Sequence, residues 1–352
     1  MNTDPLLEIK DLKVEFRSGH ECVKAVNGIS YSVNSGETFA IVGESGSGKT
    51  VSTMALMRLL PVPPAVVEAT EISFQGNDLL NMPQNEWRHL SGNKIAMVFQ
   101  DALAALNPVY TVGWQISEMF RIHRQLDSAE MERCTIDLLS RVGIPEPHQR
   151  LRDYPHQFSG GMRQRAMIAM AIALKPDLLI ADEPTTALDV TIQAQIMGLL
   201  KELRDETGMA LILITHDLGV VAETADRVAI MYAGRIMETG TINDVLGNPA
   251  HPYTWGLLSS RPQAHKRGEP LQPIYGSPPN LAYIPQGCAF HPRCRHADAA
   301  CRELTPASIE VSPGHYVACH SIRNNEAMSQ DVTKVSANSY EDPKRDADSS
   351  RQ

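Results

Sequence analysis

The chain lacks any apolar run able to cross a bilayer. The longest candidate, residues 166–181, is broken by Lys175, Pro176 and Asp177. It also lacks a surplus of positive charge: 32 Lys and Arg stand against 41 Asp and Glu, a formal net charge of −9. That balance leaves no global basic footprint for nucleic acid. Residues 1–10 carry Asp4 and Glu8 and no apolar h-region, so a secretory signal is not expected. Internal repeats and coiled-coil heptads are missing, which argues against tandem or rod-like architectures. These absences predict a protein made in the cytosol, soluble or peripheral to a membrane. At 352 residues and 43% hydrophobic content, it can fill one large or two modest domains.

What the sequence does contain is dominated by one stretch, Gly43-Glu44-Ser45-Gly46-Ser47-Gly48-Lys49-Thr50. It has the form G-x-x-x-x-G-K-[ST], a phosphate-binding loop. An apolar run, Thr38 to Val42, precedes it, and a helical pattern, Val51 to Leu60, follows. Glycines allow the backbone to curl so that successive amides point at one anion. The helix start adds partial positive charge. Lys49 is then placed for the β- and γ-phosphates and the Thr50 hydroxyl for Mg²⁺.

The first ~260 residues alternate strand-like and helical segments, the signature of an α/β layered domain. Strands are expected at 7–16, 38–42, 71–74, 95–99, 178–181, 210–214 and 227–231. Between residues 101 and 165 strand signals vanish, and 114–123 and 128–142 have helical spacing, so a helical insertion is expected. The predicted domains are a nucleotide-binding domain over 1–262, a Pro/Gly-rich linker over 263–286, a Cys-rich extension over 287–321 and a disordered polar tail over 322–352.

Three further segments carry chemistry. Leu178 to Ala181 would bury a strand whose carboxyl end presents Asp182 and Glu183. Asp182 suits the water shell of Mg²⁺, and Glu183 could polarise a water in line with the γ-phosphate. Ile212-Leu213-Ile214-Thr215-His216 repeats the pattern with a histidine, and Gln100 follows the apolar 95–99 run. Taken alone, His216 is more often a satisfied turn residue, and Gln100 is a weak signal. Finally, Ser159-Gly160-Gly161 opens a long helical pattern and forms a second anion cradle. One nucleotide does not need two cradles in one domain. Two domains packed head to tail do, each lending Ser159, Gly160 and Gly161 to the other's ATP.

These residues together resemble the ATP-binding subunits of ABC transporters, over about residues 6–260. The resemblance implies an ABC cassette that hydrolyses ATP with Mg²⁺ held through Thr50, Gln100 and Asp182. It implies Glu183, His216 and Gln100 as catalytic residues, and Phe16 stacking on adenine. Residues 187–189 would be the D-loop, with Asp189 acting across the dimer. Met162 stands where Gln is common, Phe158 where Leu is common and Ala102 where Pro is frequent; the anion-binding Ser and glycines are intact. A narrower similarity, to the dipeptide/oligopeptide importer branch, rests on residues 154–165, 181–191, His251-Pro252-Tyr253-Thr254 and the segment from Pro278 to Cys319. It implies two transmembrane permease subunits, a second ATPase subunit (a paralogue), an extracytoplasmic peptide-binding protein, and a place on the cytoplasmic face of the inner membrane. The rivals are an importer of nickel or another small solute, and a soluble ABC protein of DNA repair or translation.

Of six cysteines, four lie at 288, 294, 301 and 319, spaced C-x5-C-x6-C-x17-C. In a cytosolic chain such clustering points to a metal rather than disulfides. The spacing fits zinc ribbons poorly and suits an irregular [4Fe–4S] loop. The peptide-importer resemblance implies such a cluster on Cys288, Cys294, Cys301 and Cys319. Metal-free reduced cysteines are the alternative. Cys22 and Cys134 are expected to be small hydrophobes.

Overall fold

Leu7, Ile9, Leu12 and Val14 are buried between partly exposed neighbours, and that alternation makes Leu7–Ser18 a strand, β1. The alternation shifts by one residue at Asp11, where the register slips and the backbone turns to φ 52°. The computed structural model describes residues 4–19, 21–186, 188–260 and 273–324. Residues 263–272 of the expected linker, the tail beyond 324 and Ala187 of the D-loop lie outside the described residues.

From β1 the chain runs through β2 (Glu21–Val33), β3 (Thr38–Val42), α1 (Lys49–Leu56), β4 (Ala65–Glu68), β5 (Glu71–Phe74) and β6 (Asn77–Asp78). Strands β2, β1, β5 and β6 lie side by side in an antiparallel sheet, with β4 also on β1. Next come α2 (Gln84–Leu90) and β7 (Ile95–Val98). The helices α3 (Ala102–Ala105), α4 (Val112–His123), α5 (Ser128–Arg141), α6 (Pro147–Arg150) and α7 (Gly160–Ile172) follow with no strand among them. That is the helical insertion the sequence predicted. Its amphipathic helices start at side-chain caps: Thr111 caps α4, and Asp127 with Glu130 forms a capping box on α5.

The alternating pattern resumes with β8 (Leu178–Asp182), α8 (Val190–Thr207), β9 (Ala210–Thr215), α9 (Leu218–Thr224) and β10 (Arg227–Tyr232). Strands β10, β3, β9, β8 and β7 form a parallel sheet in that order. Both faces are covered, so the strands are continuous apolar runs. Phe39, Ile41, Ile95, Met97, Ile180 and Ile212 share one cluster with the antiparallel sheet. Their sequence neighbours Ala96, Val98, Leu179, Ala181, Leu211 and Leu213 share the other cluster with the helices. Period-two alternation thus splits β7, β8 and β9 between two cores. All seven expected strands are present, with ends within two residues. The carboxyl ends of β3, β8 and β9 come level, because Val42 pairs with Thr215 and Asp182 with Ile214. Ligands of open parallel sheets bind at that edge.

The chain divides into two compact units. The first runs to Ile236 and takes in Asn280–Tyr283; the second holds Met237–Pro279 and the residues from Ile284 onward. The second unit therefore begins earlier than residue 263, where the sequence patterning ended the nucleotide-binding domain. The physical reason is Glu238. It lies at the middle of β11 (Arg235–Thr241) and is completely buried. Its carboxylate accepts the amides of Ala250 (2.7 Å) and His251 (3.0 Å), the Thr254 hydroxyl, and Nε2 of His315 (2.8 Å). These bonds tie α10 (Pro252–Ser259) and β13 (His315–Val317) to β11, in a unit that also holds α11 (Ala299–Glu303) and β12 (Ile309–Ser312). In the second unit, β13 pairs antiparallel with both β11 and β12.

Candidate functional site

The phosphate loop is shaped by close approach. An ideal Cβ at Gly48 would lie 2.2 Å from the Ala25 carbonyl oxygen, and the residue adopts φ 100°. Gly46 has φ 76°. Only glycine fits the first position and favours the second. Lys49 is 5% exposed, and its Nζ donates to the carbonyls of Gly43 (2.8 Å) and Glu44 (3.1 Å). Burial pushes its pKa down, against the pull of Glu183, Asp182 and Glu44. The hydroxyl of Ser47 is buried without a partner. A buried orphan hydroxyl in a loop that runs straight into a helix N-terminus fits an anionic ligand.

Asp182 ends β8, 2% exposed, and its Oδ1 accepts the Thr50 hydroxyl at 3.1 Å. Burial, then the Glu183 charge, pushes its carboxyl above the ordinary range. A hydroxyl and a carboxylate side by side form the hard-oxygen donor set that suits Mg²⁺.

Glu183 stands one residue on, at φ 45°. That left-handed backbone is costly for a non-glycine residue. The bond from the Glu183 amide to the Ile214 carbonyl (2.9 Å) fixes it beside β9. Oε2 of Glu183 accepts the Gln100 amide at 3.0 Å and the Thr186 hydroxyl at 2.8 Å. Oε1 lies 3.5 Å from Nδ1 of His216. Gln100, Glu183 and His216, far apart in sequence, thus meet at one sheet edge. Thr186 is the member that sequence reasoning missed. It sits in an ordinary Pro-Thr-Thr turn, and no spacing rule separates it from Thr185.

Ser159 caps α7, its hydroxyl accepting the Met162 amide at 3.3 Å. An ideal Cβ on Gly161 would lie 3.0 Å from Ile192, and one on Gly160 3.7 Å from Leu188. Asp189 caps α8 through the Ile192 amide at 2.9 Å. Ser159-Gly160-Gly161 and the segment Leu188 to Ile192 are therefore neighbours within one chain. Phe16 is half-buried on β1 and packs on the inter-sheet core.

The cysteine expectation fares differently. Cys288 and Cys301 are buried, Cys294 and Cys319 half-buried, and all four are free thiols. Burial pushes Cys288, Cys294 and Cys319 up to about 11, and Cys301 up as well. Among the described residues, no group of three or more His, Cys, Asp or Glu could hold a metal ion. The expected [4Fe–4S] ligand set at Cys288, Cys294, Cys301 and Cys319 is thus not assembled. The segment is held instead by its own backbone, with the Cys288 amide bonded to the Cys301 carbonyl at 2.8 Å. The Cys301 amide bonds to Asp298 at 2.9 Å.

Residues 26–186 match the profile of ABC transporters, and residues 237–301 that of the oligopeptide/dipeptide transporter C-terminal region. The chain is 46% identical over 96% of its length to the oligopeptide transport ATP-binding protein OppD of Bacillus subtilis, covering 96% of that protein. The chain belongs to the ABC transporter family. It is also 49% identical over 90% of its length to the dipeptide transport ATP-binding protein DppD of Bacillus subtilis, covering 94% of it. Among solved ABC cassettes, it resembles the dimeric post-hydrolysis state of MJ0796 bound to ADP and Pi. The TM-score is 0.60 with 25% identity, over 67% of this chain and 98% of that one. The second family match begins at residue 237, where the second compact unit begins. Among the described residues, no helix is long and apolar enough to cross a membrane.

Proposed function

We propose that this ABC ATPase powers import of dipeptides or oligopeptides across a bacterial inner membrane. The observation that carries the reading is a coincidence in one chain. A phosphate loop and the Glu183 network share one sheet edge, and the second unit matches the oligopeptide/dipeptide transporter region. The curated relatives are named for oligopeptide and dipeptide transport.

In this account Lys49 exchanges the carbonyls of Gly43 and Glu44 for phosphate oxygens. The loop from Gly43 to Thr50, with Glu44 and Ser45 at its turn, wraps the phosphates, and Phe16 stacks on adenine. Thr50, Asp182 and Gln100 would hold Mg²⁺, which when bound would supply positive charge against the charge developing on the phosphates. Glu183 takes the proton of the attacking water, and His216 keeps Glu183 and the γ-phosphate in register. Ser159, Gly160, Gly161 and Asp189 serve the ATP of a second ATPase subunit, a paralogue. Two permease subunits anchor the pair at the cytoplasmic face, and an extracytoplasmic binding protein delivers the peptide.

Among the described residues the four free thiols are not gathered as ligands, so the cluster expected on Cys288, Cys294, Cys301 and Cys319 forms no part of this reading. Iron and sulfide assays on anaerobically purified protein check this, and either outcome leaves the ATPase reading standing.

The test of function is the ATPase rate of the assembly in proteoliposomes. Binding protein loaded with a tripeptide should raise it severalfold. Stimulation by nickel and not by peptide would move the assignment to a small-solute importer.

A further inference from the structure

The carboxylate of Glu183 is held unevenly. Both of its hydrogen-bond donors, the Gln100 amide and the Thr186 hydroxyl, converge on Oε2. A carboxylate oxygen has two lone-pair sites, so Oε2 is filled. Among the described residues, the polar group recorded beside Oε1 is Nδ1 of His216, at 3.5 Å. We infer that Thr186 is a positioning residue, locking Oε2 of Glu183 so that Oε1 is the oxygen presented to the attacking water. The inference rests on Glu183 being the water-activating residue.

The two donors are not equivalent. Gln100 follows β7, where the chain leaves for the helical insertion. It can move independently of Glu183, and it is also assigned to Mg²⁺. Thr186 belongs to the same tight turn as Glu183, since its amide donates to the Glu183 carbonyl at 3.1 Å. Pro184 inside that turn restricts the backbone further. The Thr186 hydroxyl therefore travels with the carboxylate and would stay on Oε2 if Gln100 turned away from it. Its hydroxyl has no competing duty as a helix cap, because Asp189 caps α8.

The test is steady-state hydrolysis by the reconstituted assembly carrying Thr186→Val, Thr186→Ser or Thr186→Ala. Val keeps the shape and removes the donor; Ser keeps the donor. Thr186→Val and Thr186→Ala should lower kcat about tenfold with the KM for ATP unchanged, and Thr186→Ser should restore kcat to near the parent value. Adding Thr186→Val to Glu183→Gln should slow the enzyme no further, because the carboxylate it positions is gone. A parental kcat in Thr186→Val, a Thr186→Ser as slow as Thr186→Val, or a further tenfold loss in the double variant would each overturn the inference. If Glu183→Gln alone turned over normally, the reading of Glu183 and the inference would fall together. If Glu183→Gln were inactive and Thr186→Val normal, only the inference would fall.

Discussion

An ideal Cβ on Gly43 would lie 2.1 Å from the carbonyl oxygen of Met231, a backbone atom of β10. The same atom would lie 2.8 Å from the Ser47 hydroxyl. The phosphate loop therefore leaves β3 pressed against a neighbouring strand, and its first residue has no room for a side chain. Gly43→Ala must move β10 or open the loop. It should weaken ATP binding by at least about tenfold, roughly 1.4 kcal/mol, as measured by calorimetric titration. Gly198→Ala is the control: it lies in α8 with nothing near its Cβ position. It should leave ATP affinity unchanged and stabilise the protein by about 0.5–1 kcal/mol.

Glu183→Gln keeps the size of the side chain and loses its basicity. ATP affinity should stay near the parent value, while turnover falls by ~10²–10⁴-fold. A purified assembly of this variant with near-normal turnover contradicts the assignment.

Much of this site was visible in the sequence, for identifiable reasons. Strands β3, β8 and β9 are continuous apolar runs that end in chemically distinctive residues, so Asp182, Glu183 and His216 could be placed at strand ends. The strand β2 was not anticipated, because Lys24, Asn27 and Gly28 interrupt its pattern over thirteen residues. Its register with β1 supplies what local periodicity does not. The helix α1 begins at Lys49 rather than Val51, because the loop amides run directly into the helix. The tie between Glu238 and His315 spans 77 positions, beyond any local pattern. So the early start of the second unit could not be read from composition.

Ser159 and Asp189 are predicted to serve a partner's nucleotide. A strictly monomeric preparation of this chain should bind ATP and hydrolyse it slowly. Sedimentation run alongside a phosphate-release assay checks this; full turnover by a monomer would remove the need for a second cradle.

His251 caps α10 from a fully buried position, with Nδ1 accepting the Tyr253 amide at 2.9 Å. Burial pushes its pKa down to about 3. The unfolded histidine binds a proton near the ordinary value of about 6.5, and the folded one does not until about 3. Stability is therefore fully present above about 6.5 and is lost as pH falls toward 3. By pH ~5 the loss from this group is about 2 kcal/mol. His251→Asn can still cap the helix and has no such titration. Denaturant unfolding of the second unit at neutral and acidic pH should show a smaller acid loss in the variant than in the parent. Equal losses would place the acid sensitivity elsewhere.

The central claim is that hydrolysis at the Glu183 site drives peptide movement. Its most direct measurement is uptake of a labelled tripeptide by proteoliposomes bearing the complete assembly, with Mg²⁺-ATP on the side facing this subunit. The account predicts accumulation that requires ATP and is abolished by Glu183→Gln. Accumulation that persists with Glu183→Gln, or ATP hydrolysis by the parent assembly with no peptide uptake, would contradict it.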